Sequence, residues 1–280
     1  MVDGPIVDSH VHLWDPRRFR MPWLDDIPDL RRRFERPEFA EAAAGLPIQN
    51  LVYVQVDATP AYSLLEARWA LEQPLVAGVV AWAPMEDGDV VTTYLDELQR
   101  MGPGIKGIRR LLQEEPDPDF LVAPSLIEGL RLLPKYGYSF DICIRHQHMA
   151  RAVDMVRACP ETQFILDHLG KPDARSHLLD PWREQLAGLG ALPNVVCKLS
   201  GLVTEADHDH WTVADVEPYA AHVLKVFGED RVMFGGDWPV VRLASTYRRW
   251  VETLDALTAA LSPSAKRKLW ADNARRVYRL

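Results

Sequence analysis

Two histidines with one residue between them, His10 and His12, end an apolar stretch that begins at Ile6. In an extended strand alternate side chains lie on the same face, so the two imidazoles project together. Neutral imidazoles held side by side bind a divalent metal or donate jointly to an oxyanion. A functional role for this pair is supported by Asp237 and Trp238, which follow a second apolar stretch far along the chain.

The composition favours a sizeable core and argues against polyanionic partners. The 280 residues are 48% hydrophobic and carry a formal net charge of -8, which leaves no basic stripe for nucleic acid or an anionic membrane. No apolar run reaches membrane-spanning length, and the amino terminus lacks the pattern of a secretion signal. We therefore expect a cytoplasmic protein that acts on a small molecule, with assembly into a homo-oligomer left open.

The three cysteines, Cys143, Cys159 and Cys197, are odd in number and widely spaced in apolar sequence. This spacing predicts buried free thiols in a reducing compartment. None of them has a base or a redox motif nearby in sequence, which disfavours a catalytic cysteine.

Apolar runs alternate with amphipathic segments along the chain. The runs that resemble buried parallel strands span 6–13, 49–56, 76–83, 105–111, 139–145, 163–168, 195–200 and 231–236. Segments with helical spacing span 62–73, 90–101, 124–136, 150–158, 181–189, 216–227, 246–261 and 263–278. Eight strands alternating with helices predict an α/β fold, a (β/α)8 TIM barrel formed by residues 1–280 as a single domain. The alternative, an open doubly wound sheet, usually has a glycine-rich turn after its first strand, where this chain has His10 and His12.

A long polar and aromatic segment, about 14–47, separates the first two predicted strands. Connections of this length inside a compact domain are usually functional lids or contain short helices. We expect a lid-like insertion here, and we interpret the run Arg31-Arg32-Arg33 as a solvated helix face rather than an anion site.

In a barrel the carboxyl ends of all strands meet on one face, so residues distant in sequence converge there. The predicted strand ends carry His10, His12, Gln55, Trp82, Arg109, Arg145, His146, His148, Asp167, His168, Lys198, Asp237 and Trp238. His168 and Asp237 stand out because a polar group that closes an apolar strand is costly to bury unless it is paired or functional. Scaffold roles stay open for Gln55, Trp82 and Lys198, including an ion pair between Lys198 and Asp167.

Several motifs together resemble the amidohydrolase superfamily, and specifically its sugar-lactonase branch. They are His-x-His at 10–12, Gly-Ile-Arg-Arg-Leu-Leu-Gln at 107–113, Asp-His-Leu-Gly-Lys-Pro at 167–172 and Gly-Asp-Trp-Pro at 236–239. The segment 195–206 is similar to that of L-fuconolactonases and L-rhamnonolactonases. Two features depart from the branch. Gly236 stands where a serine is common, which we expect to change only local packing, and the paired His146 and His148 leave open which imidazole faces the pocket.

The resemblance implies hydrolysis of an aldonolactone such as L-fuconolactone or L-rhamnonolactone. Asp237 would activate the attacking water, with His168 as a second catalytic residue. The implied ligands of one divalent ion, zinc or manganese, are His10, His12, His148 and Asp237. The implied substrate-binding residues are Trp14, Gln55, Trp82, Arg109, His146, Lys198 and Trp238. Metal-free catalysis stays open, because a dicarboxylate-lactonase branch of the superfamily needs no metal.

Three other functions remain as alternatives. The first is a lactonase for an unsaturated dicarboxylate, for which Arg109, Arg145 and Arg242 would supply positive charge. The second is a metal-dependent decarboxylase on the same scaffold. The third is a binding protein with an inactive site, an interpretation that conflicts with the joint presence of His10, His12, His168 and Asp237.

Overall fold

The computed structural model describes residue 2 and residues 4–280, and its centre is a ring of eight strands. The strands are β1 Ile6–Val11, β2 Ile48–Val54, β3 Val76–Ala81, β4 Ile105–Ile108, β5 Ser139–Ile142, β6 Phe164–Leu166, β7 Val195–Leu199 and β8 Val232–Phe234. They pair in chain order from β1 to β8, and every pair is parallel. The predicted (β/α)8 TIM barrel is confirmed, and each predicted strand overlaps an observed one, with β2 beginning one residue before its predicted range.

Two backbone hydrogen bonds join the first strand to the segment after the last one. The amide of Asp237 donates to the carbonyl of His10 at 2.8 Å, and the amide of His12 donates to the carbonyl of Trp238 at 2.7 Å. These bonds bring the histidines of β1 and the aspartate that follows β8 side by side. The two motifs lie 225 or more residues apart in sequence, yet they meet because the sheet curls into a ring.

Helices fill the connections between the strands. They are α1 Arg36–Ala42, α2 Ser63–Leu71, α3 Asp89–Arg100, α4 Pro124–Tyr136, α5 Met149–Ala158, α6 Trp182–Gly190, α7 Val213–Phe227, α8 Tyr247–Leu257, α9 Pro263–Arg267 and α10 Asn273–Tyr278. The helix predicted over 263–278 is interrupted by a π-helical turn, Lys268–Asp272, which separates α9 from α10. Proline at the first position starts α4 and α9, since it lacks the amide hydrogen that a helix start leaves unpaired anyway.

The carboxyl-terminal segment covers the end of the barrel where the strands begin. Val277 and Tyr278 pack with strand residues such as Val7 and Val196 in a core cluster of its own. Nearby, Lys106 at the start of β4 donates through Nζ to the carbonyl of Arg279 at 2.9 Å. The opposite end, where the strands terminate, is therefore the end available for a site.

The segment from 14 to 47 contains short 3-10 turns and the helix α1, and it packs against the barrel through aromatic side chains. Trp14 pairs with Phe34 through two backbone hydrogen bonds, and its indole donates to the carbonyls of Leu30 and Arg32 at 3.2 and 3.0 Å. Phe34 in turn contacts Trp238, with ring centroids 5.5 Å apart. Residues 31–33 are exposed, as predicted for a solvated surface, but they lie outside any helix.

Two expectations from the composition can be compared with the structure. Cys143, Cys159 and Cys197 are buried free thiols, as their spacing predicted. Among the residues that the structure describes, no helix is both long enough and apolar enough to cross a bilayer.

A buried glutamate on α2 ties that helix to the end of β2. The Glu66 carboxylate accepts hydrogen bonds from the amide of Val56 at 2.7 Å and from the hydroxyl of Tyr53 at 2.9 Å. Burial raises the pKa of Glu66 from 4.5 to about 7 despite these two bonds. The carboxylate therefore fixes the backbone beside Gln55 while it remains costly to ionise.

The raised pKa of Glu66 predicts a pH-dependent contribution to stability. Between about pH 4.5 and 7 the unfolded chain loses this proton and the folded chain keeps it, so wild-type stability falls as the pH rises. The variant Glu66→Gln lacks this loss. The free energy of unfolding of the variant, relative to that of wild type, should therefore increase by up to about 3 kcal/mol between pH 4.5 and pH 7. Above pH 7 this difference should stay constant.

Urea denaturation at intervals from pH 4.5 to pH 8 measures this difference. A glutamine can accept from the Val56 amide, and the Tyr53 hydroxyl can then donate to the Leu13 carbonyl, which lies 3.3 Å away. The control is Glu72→Gln, at the exposed end of the same helix. A constant difference between Glu66→Gln and wild type at every pH would contradict the prediction.

Candidate active site

Four side chains converge in a buried hollow at the carboxyl ends of β1, β6 and β8. The Nε2 atoms of His10 and His12 lie 3.7 and 3.5 Å from Oδ1 of Asp237, and Nε2 of His168 lies 3.9 Å from the same oxygen. The two strand-one imidazoles approach each other to 3.2 Å through their Nε2 atoms. Asp237 adopts a left-handed backbone with a φ of 51°, a strained conformation of the kind found at functional sites.

The outer nitrogens of two imidazoles are engaged, which fixes how the rings face the hollow. Nδ1 of His12 contacts the carbonyl of Val54 at 2.8 Å, so it carries the proton and leaves an electron pair on Nε2. Nδ1 of His168 contacts the hydroxyl of Ser200 at 2.8 Å, and its Nε2 faces Asp237. Both rings are thus oriented by contacts behind them, as is usual for metal-binding histidines.

The hollow keeps its carboxylate charged and its imidazoles neutral. Burial alone would raise the pKa of Asp237, but the facing imidazoles of His168, His12 and His10 outweigh it and hold that pKa well below its ordinary value. Burial lowers the pKa of His10 and His12, and it brings the pKa of His168 to about 4. At neutral pH the hollow therefore presents one negative charge and several nitrogen electron pairs.

This donor set fits a divalent metal ion. His10, His168 and Asp237 form a group whose ligand atoms all lie within 4.8 Å of one another, and His12 adjoins it. Four ligands at zinc bond lengths of about 2.0–2.1 Å stand roughly 3.3 Å apart at the corners of a tetrahedron. The separation of His10 from His12 and the distances of the three imidazoles from Asp237, 3.2 to 3.9 Å, are close to that spacing.

A chain of fully buried charges lies behind His10. Nζ of Lys198 is 2.6 Å from the carboxylate of Asp141, 2.9 Å from that of Asp167 and 3.1 Å from Nδ1 of His10. The hydroxyl of Tyr278 donates to Asp141 at 2.9 Å, so α10 reaches the site from the opposite end of the barrel. The two carboxylates outweigh burial and raise the pKa of Lys198, which keeps this lysine charged.

Arg109 lies at the edge of the four-residue group and holds neighbouring strands together. Its guanidinium donates to the carbonyl of Gln55 at 2.6 Å and to Asp167 at 3.2 Å, and it approaches Nε2 of His10 to 3.3 Å. Nε of Arg109 and Nε2 of Gln55 are buried without a hydrogen-bond partner among the residues that the structure describes. Buried donors of this kind are unfavourable unless a ligand or a water molecule satisfies them.

The backbone before Asp237 is held by a second buried carboxylate. Asp8 accepts from the amides of His10 and Gly236 at 3.0 and 2.8 Å and from the hydroxyl of Tyr247 at 2.7 Å. A β-carbon at Gly236 would lie 2.2 Å from the Tyr247 ring and 2.4 Å from Asp8. A side chain at position 236 would therefore collide with Tyr247 and Asp8, whose hydrogen bond anchors both motifs.

The structure brings some of the predicted site residues together and directs others elsewhere. His10, His12, His168 and Asp237 form the hollow, and Gln55 and Arg109 adjoin it. His148 was expected as a metal ligand, but its Nε2 points to the carbonyl of Glu115 at 3.1 Å, so the structure directs it away from the group.

Some of the predicted substrate-binding residues are buried in the packing of the fold, and others remain partly accessible. Trp14 and Trp238 are 0% and 1% exposed and pack in the aromatic layer under the 14–47 segment, which leaves no ring face for a substrate. Lys198 is 0% exposed and engaged by carboxylates, as its scaffold interpretation proposed. Trp82 is half-buried against Tyr94, and His146 lines a cavity with Lys171 and Glu205.

Several residues that shape the site were not predicted. Asp8, Asp141 and Ser200 are polar residues within or directly after apolar strands, and that sequence signal could have identified them. Tyr247 and Tyr278 gave no such signal, because an aromatic residue in a helix usually fills a core.

Comparison with known proteins identifies the family of this chain. Residues 7–280 match the family model described as amidohydrolase. The chain belongs to the amidohydrolase family. This membership makes the chain a hydrolytic enzyme, and the resemblance seen in the motifs is confirmed.

Curated relatives and a solved structure are similar over nearly their whole length. An L-fucono-1,5-lactonase from Burkholderia ambifaria is 30% identical over 279 residues, covering 98% of this chain and 95% of that protein. Another from Burkholderia multivorans is 31% identical over 300 residues, covering 98% and 96%. The crystal structure of an amidohydrolase from Burkholderia multivorans with bound zinc superposes with a TM-score of 0.91 at 28% identity, covering 99% and 100%.

The arginines that would serve a dicarboxylate substrate do not gather at one place. Arg109 is engaged by Asp167, Arg145 pairs with Glu114 at 2.7 Å, and Arg242 lies over the ring of Phe34 at 5.5 Å. The geometry therefore gives no support to a site for two carboxylates.

The buried cluster around Lys198 yields a prediction for stability. The variant Lys198→Met leaves Asp141 and Asp167 buried without their shared cation, and such a loss costs about 3–5 kcal/mol. Urea denaturation at pH 7 should show this decrease. The control variant, Lys268→Met, removes a surface lysine paired with Glu229 and should leave stability nearly unchanged. Equal stability of the two variants would contradict the prediction.

Proposed function

We propose that this protein hydrolyses a sugar lactone, opening an aldonolactone to its aldonic acid. The convergence of three imidazoles on the ionised carboxylate of Asp237 carries the proposal, because it places a base and a metal-binding group in one hollow. The similarity to two L-fucono-1,5-lactonases supports a lactone as the substrate class.

Asp237 acts as the general base. Its low pKa leaves it ionised at neutral pH, so it can take a proton from water as that water attacks the lactone carbonyl carbon. The carbonyl carbon then becomes tetrahedral, and the bond to the ring oxygen breaks. Asp237 returns its proton to the departing ring oxygen, which leaves a hydroxyl on the chain and a free acid.

Negative charge develops on the carbonyl oxygen during this attack and must be stabilised. Arg109 supplies a fixed positive charge beside the hollow, and the unpartnered Nε2 of Gln55 supplies a buried donor. A bound divalent ion would supply Lewis-acid chemistry by polarising the ester carbonyl. His10, His12, His168 and Asp237 would hold it, and zinc suits this set of three nitrogens and one carboxylate.

Other groups around the hollow would orient the sugar and limit its contact with water. Trp82, half-buried at the end of β3, offers a ring face against which the sugar can stack. The segment from 14 to 47 acts as a lid over the adjoining ends of β1 and β2, where the indole of Trp23 donates to the carbonyl of Val56 at 2.9 Å. Exclusion of water strengthens the electrostatic interactions inside the hollow.

Replacement of the base tests the mechanism directly. The variant Asp237→Asn cannot accept a proton, so hydrolysis of L-fucono-1,5-lactone, followed as acid release with a pH indicator, should fall by about 10²- to 10⁴-fold. Its circular dichroism spectrum should match that of wild type. Asp209→Asn, in an exposed loop, serves as the control and should retain full turnover. Undiminished turnover by Asp237→Asn would exclude this residue as the base.

The metal ligands can be tested by a binding measurement that needs no activity. Zinc is titrated calorimetrically into protein stripped of metal, and the bound metal is counted by mass spectrometry. His12→Gln and His168→Gln should each weaken binding by about 10-fold or more, because each removes a nitrogen ligand. His148→Gln, which alters the ring directed at Glu115, should bind zinc as wild type does. If only His148→Gln lost affinity, the ligand set proposed from the structure would be wrong.

A further inference from the structure

A strained turn follows β6 and begins at His168. His168, Leu169, Gly170 and Lys171 all have positive φ angles, between 50° and 72°, so the chain makes one left-handed turn. Left-handed backbone is unfavourable for a residue that carries a side chain, because its β-carbon approaches the following carbonyl oxygen. Three such residues within four consecutive positions persist only where the surroundings fix them, and such strain concentrates at functional sites.

The turn brings Lys171 back toward His168. The amide of Lys171 donates to the carbonyl of His168 at 2.8 Å, which closes the turn over three residues. Gly170, with a φ of 72°, is the residue of the turn that adopts the left-handed backbone without a β-carbon penalty. A lysine ammonium is therefore carried on the same short turn as an imidazole of the hollow.

Polar contacts hold the Lys171 side chain beside the hollow. Nζ donates to Oε1 of Gln113 at 2.6 Å and lies 3.8 Å from Oε1 of Glu205. The same oxygen of Gln113 accepts from Sγ of Cys143 at 3.4 Å. Cys143 belongs to a group with His168 whose ligand atoms lie within 4.8 Å of one another, so these contacts lead from Lys171 to the wall of the hollow.

A cavity of about 320 Å³ opens at this point. Its lining includes Lys171, Glu205, Thr204, His146 and Arg145. The volume lies within the range of small-molecule sites. Nδ1 of His146 lies 3.2 Å from the carbonyl of Lys171, which places this histidine behind the turn and beside the cavity.

Arg145, Arg175 and Asp173 also line the cavity, but at the Lys171–Glu205 pair its chemistry suits hydroxyl groups better than a single charge. The Lys171 and Glu205 side chains are 18% and 21% exposed, so both remain accessible to a ligand while they face each other. An ammonium donates hydrogen bonds and a carboxylate accepts them, which together satisfy the hydroxyls of a neutral polyol. A ligand carboxylate in this place would meet the negative charge of Glu205.

We propose that Lys171 and Glu205 form a hydroxyl-binding subsite that selects polyhydroxylated lactones over unsubstituted ones. The proposal rests on the proposed lactone hydrolysis, and it adds the residues that recognise the sugar. Lys171 donates to one ring hydroxyl and Glu205 accepts from its neighbour, while the ester carbonyl lies toward Asp237. Neither residue takes part in the proton transfers.

The first experiment measures binding without turnover. L-Fucono-1,5-lactam and L-rhamnono-1,5-lactam keep the hydroxyls of the sugar but carry an amide in place of the ester. Calorimetric titration should show that wild type binds at least one of them. Lys171→Met and Glu205→Gln should each bind it about 10- to 100-fold more weakly, the usual effect of losing a hydrogen bond to a charged group.

The controls for this titration are Lys225→Met and Glu217→Gln, exposed residues of α7 that should bind as wild type does. Lys171→Gln replaces Lys171→Met if the latter fails to fold. The subsite proposal is overturned if wild type binds neither lactam, or if the Lys171 and Glu205 variants bind as tightly as wild type.

The second experiment separates the subsite from the hydrolytic function. The kcat/KM values for L-fucono-1,5-lactone and for δ-valerolactone, which has no hydroxyls, are measured for each variant. The ratio of the first to the second should fall about 10-fold or more in Lys171→Met and Glu205→Gln, with δ-valerolactone turnover nearly unchanged. An equal loss for both lactones would overturn the subsite. Lactam binding by wild type without hydrolysis of any lactone would instead overturn the proposed function and leave the subsite standing.

Discussion

The site depends on the ionised state of one buried carboxylate. Asp237 is 3% exposed, and burial raises the pKa of a carboxyl group, as it does for Asp8 and Glu66, whose pKa values rise to about 7 despite their hydrogen bonds. The surrounding imidazoles reverse that effect. Their position depends on the closure of the barrel, because the backbone hydrogen bonds between β1 and the segment after β8 hold His10 and His12 against this aspartate.

The fold could be predicted from the sequence because its pattern is local and repeated. Strands buried on both faces read as continuous apolar runs, and all eight predicted runs overlap observed strands. The main errors concern the ends of elements and the last helix, where a π-helical turn divides the predicted segment. A π-helical turn depends on which backbone hydrogen bonds form within it, and the spacing of apolar residues does not predict these bonds.

The site was only partly predictable, because the position of a residue at a strand end does not determine the direction of its side chain. His10, His12, His168 and Asp237 end strands, and the ring closure brings them together. His148 also follows a strand, but it lies in a 3-10 turn that directs its ring to Glu115. The stacking role expected of Trp14 failed for another reason: the 14–47 segment buries this ring, and a long connection does not reveal its packing in its sequence.

The buried cluster behind His10 joins distant parts of the chain. It consists of Lys198 of β7, Asp141 of β5 and Tyr278 of α10, and Lys198 also contacts His10. The packing of the barrel core therefore affects the orientation of a site imidazole. Such a cluster is costly when incomplete and rigid when complete. It also explains why a lysine in a strand interior is compatible with a stable barrel.

The contact between Tyr278 and Asp141 has a consequence for the order of events during synthesis. The strands that carry the hollow are translated well before α10, but the charge cluster behind His10 lacks a hydrogen-bond donor until residues 273–278 leave the ribosome. A nascent chain that lacks these residues would hold the Asp141 carboxylate through Lys198 alone. Docking of α10 therefore adds the Tyr278 hydrogen bond to the charge cluster behind His10.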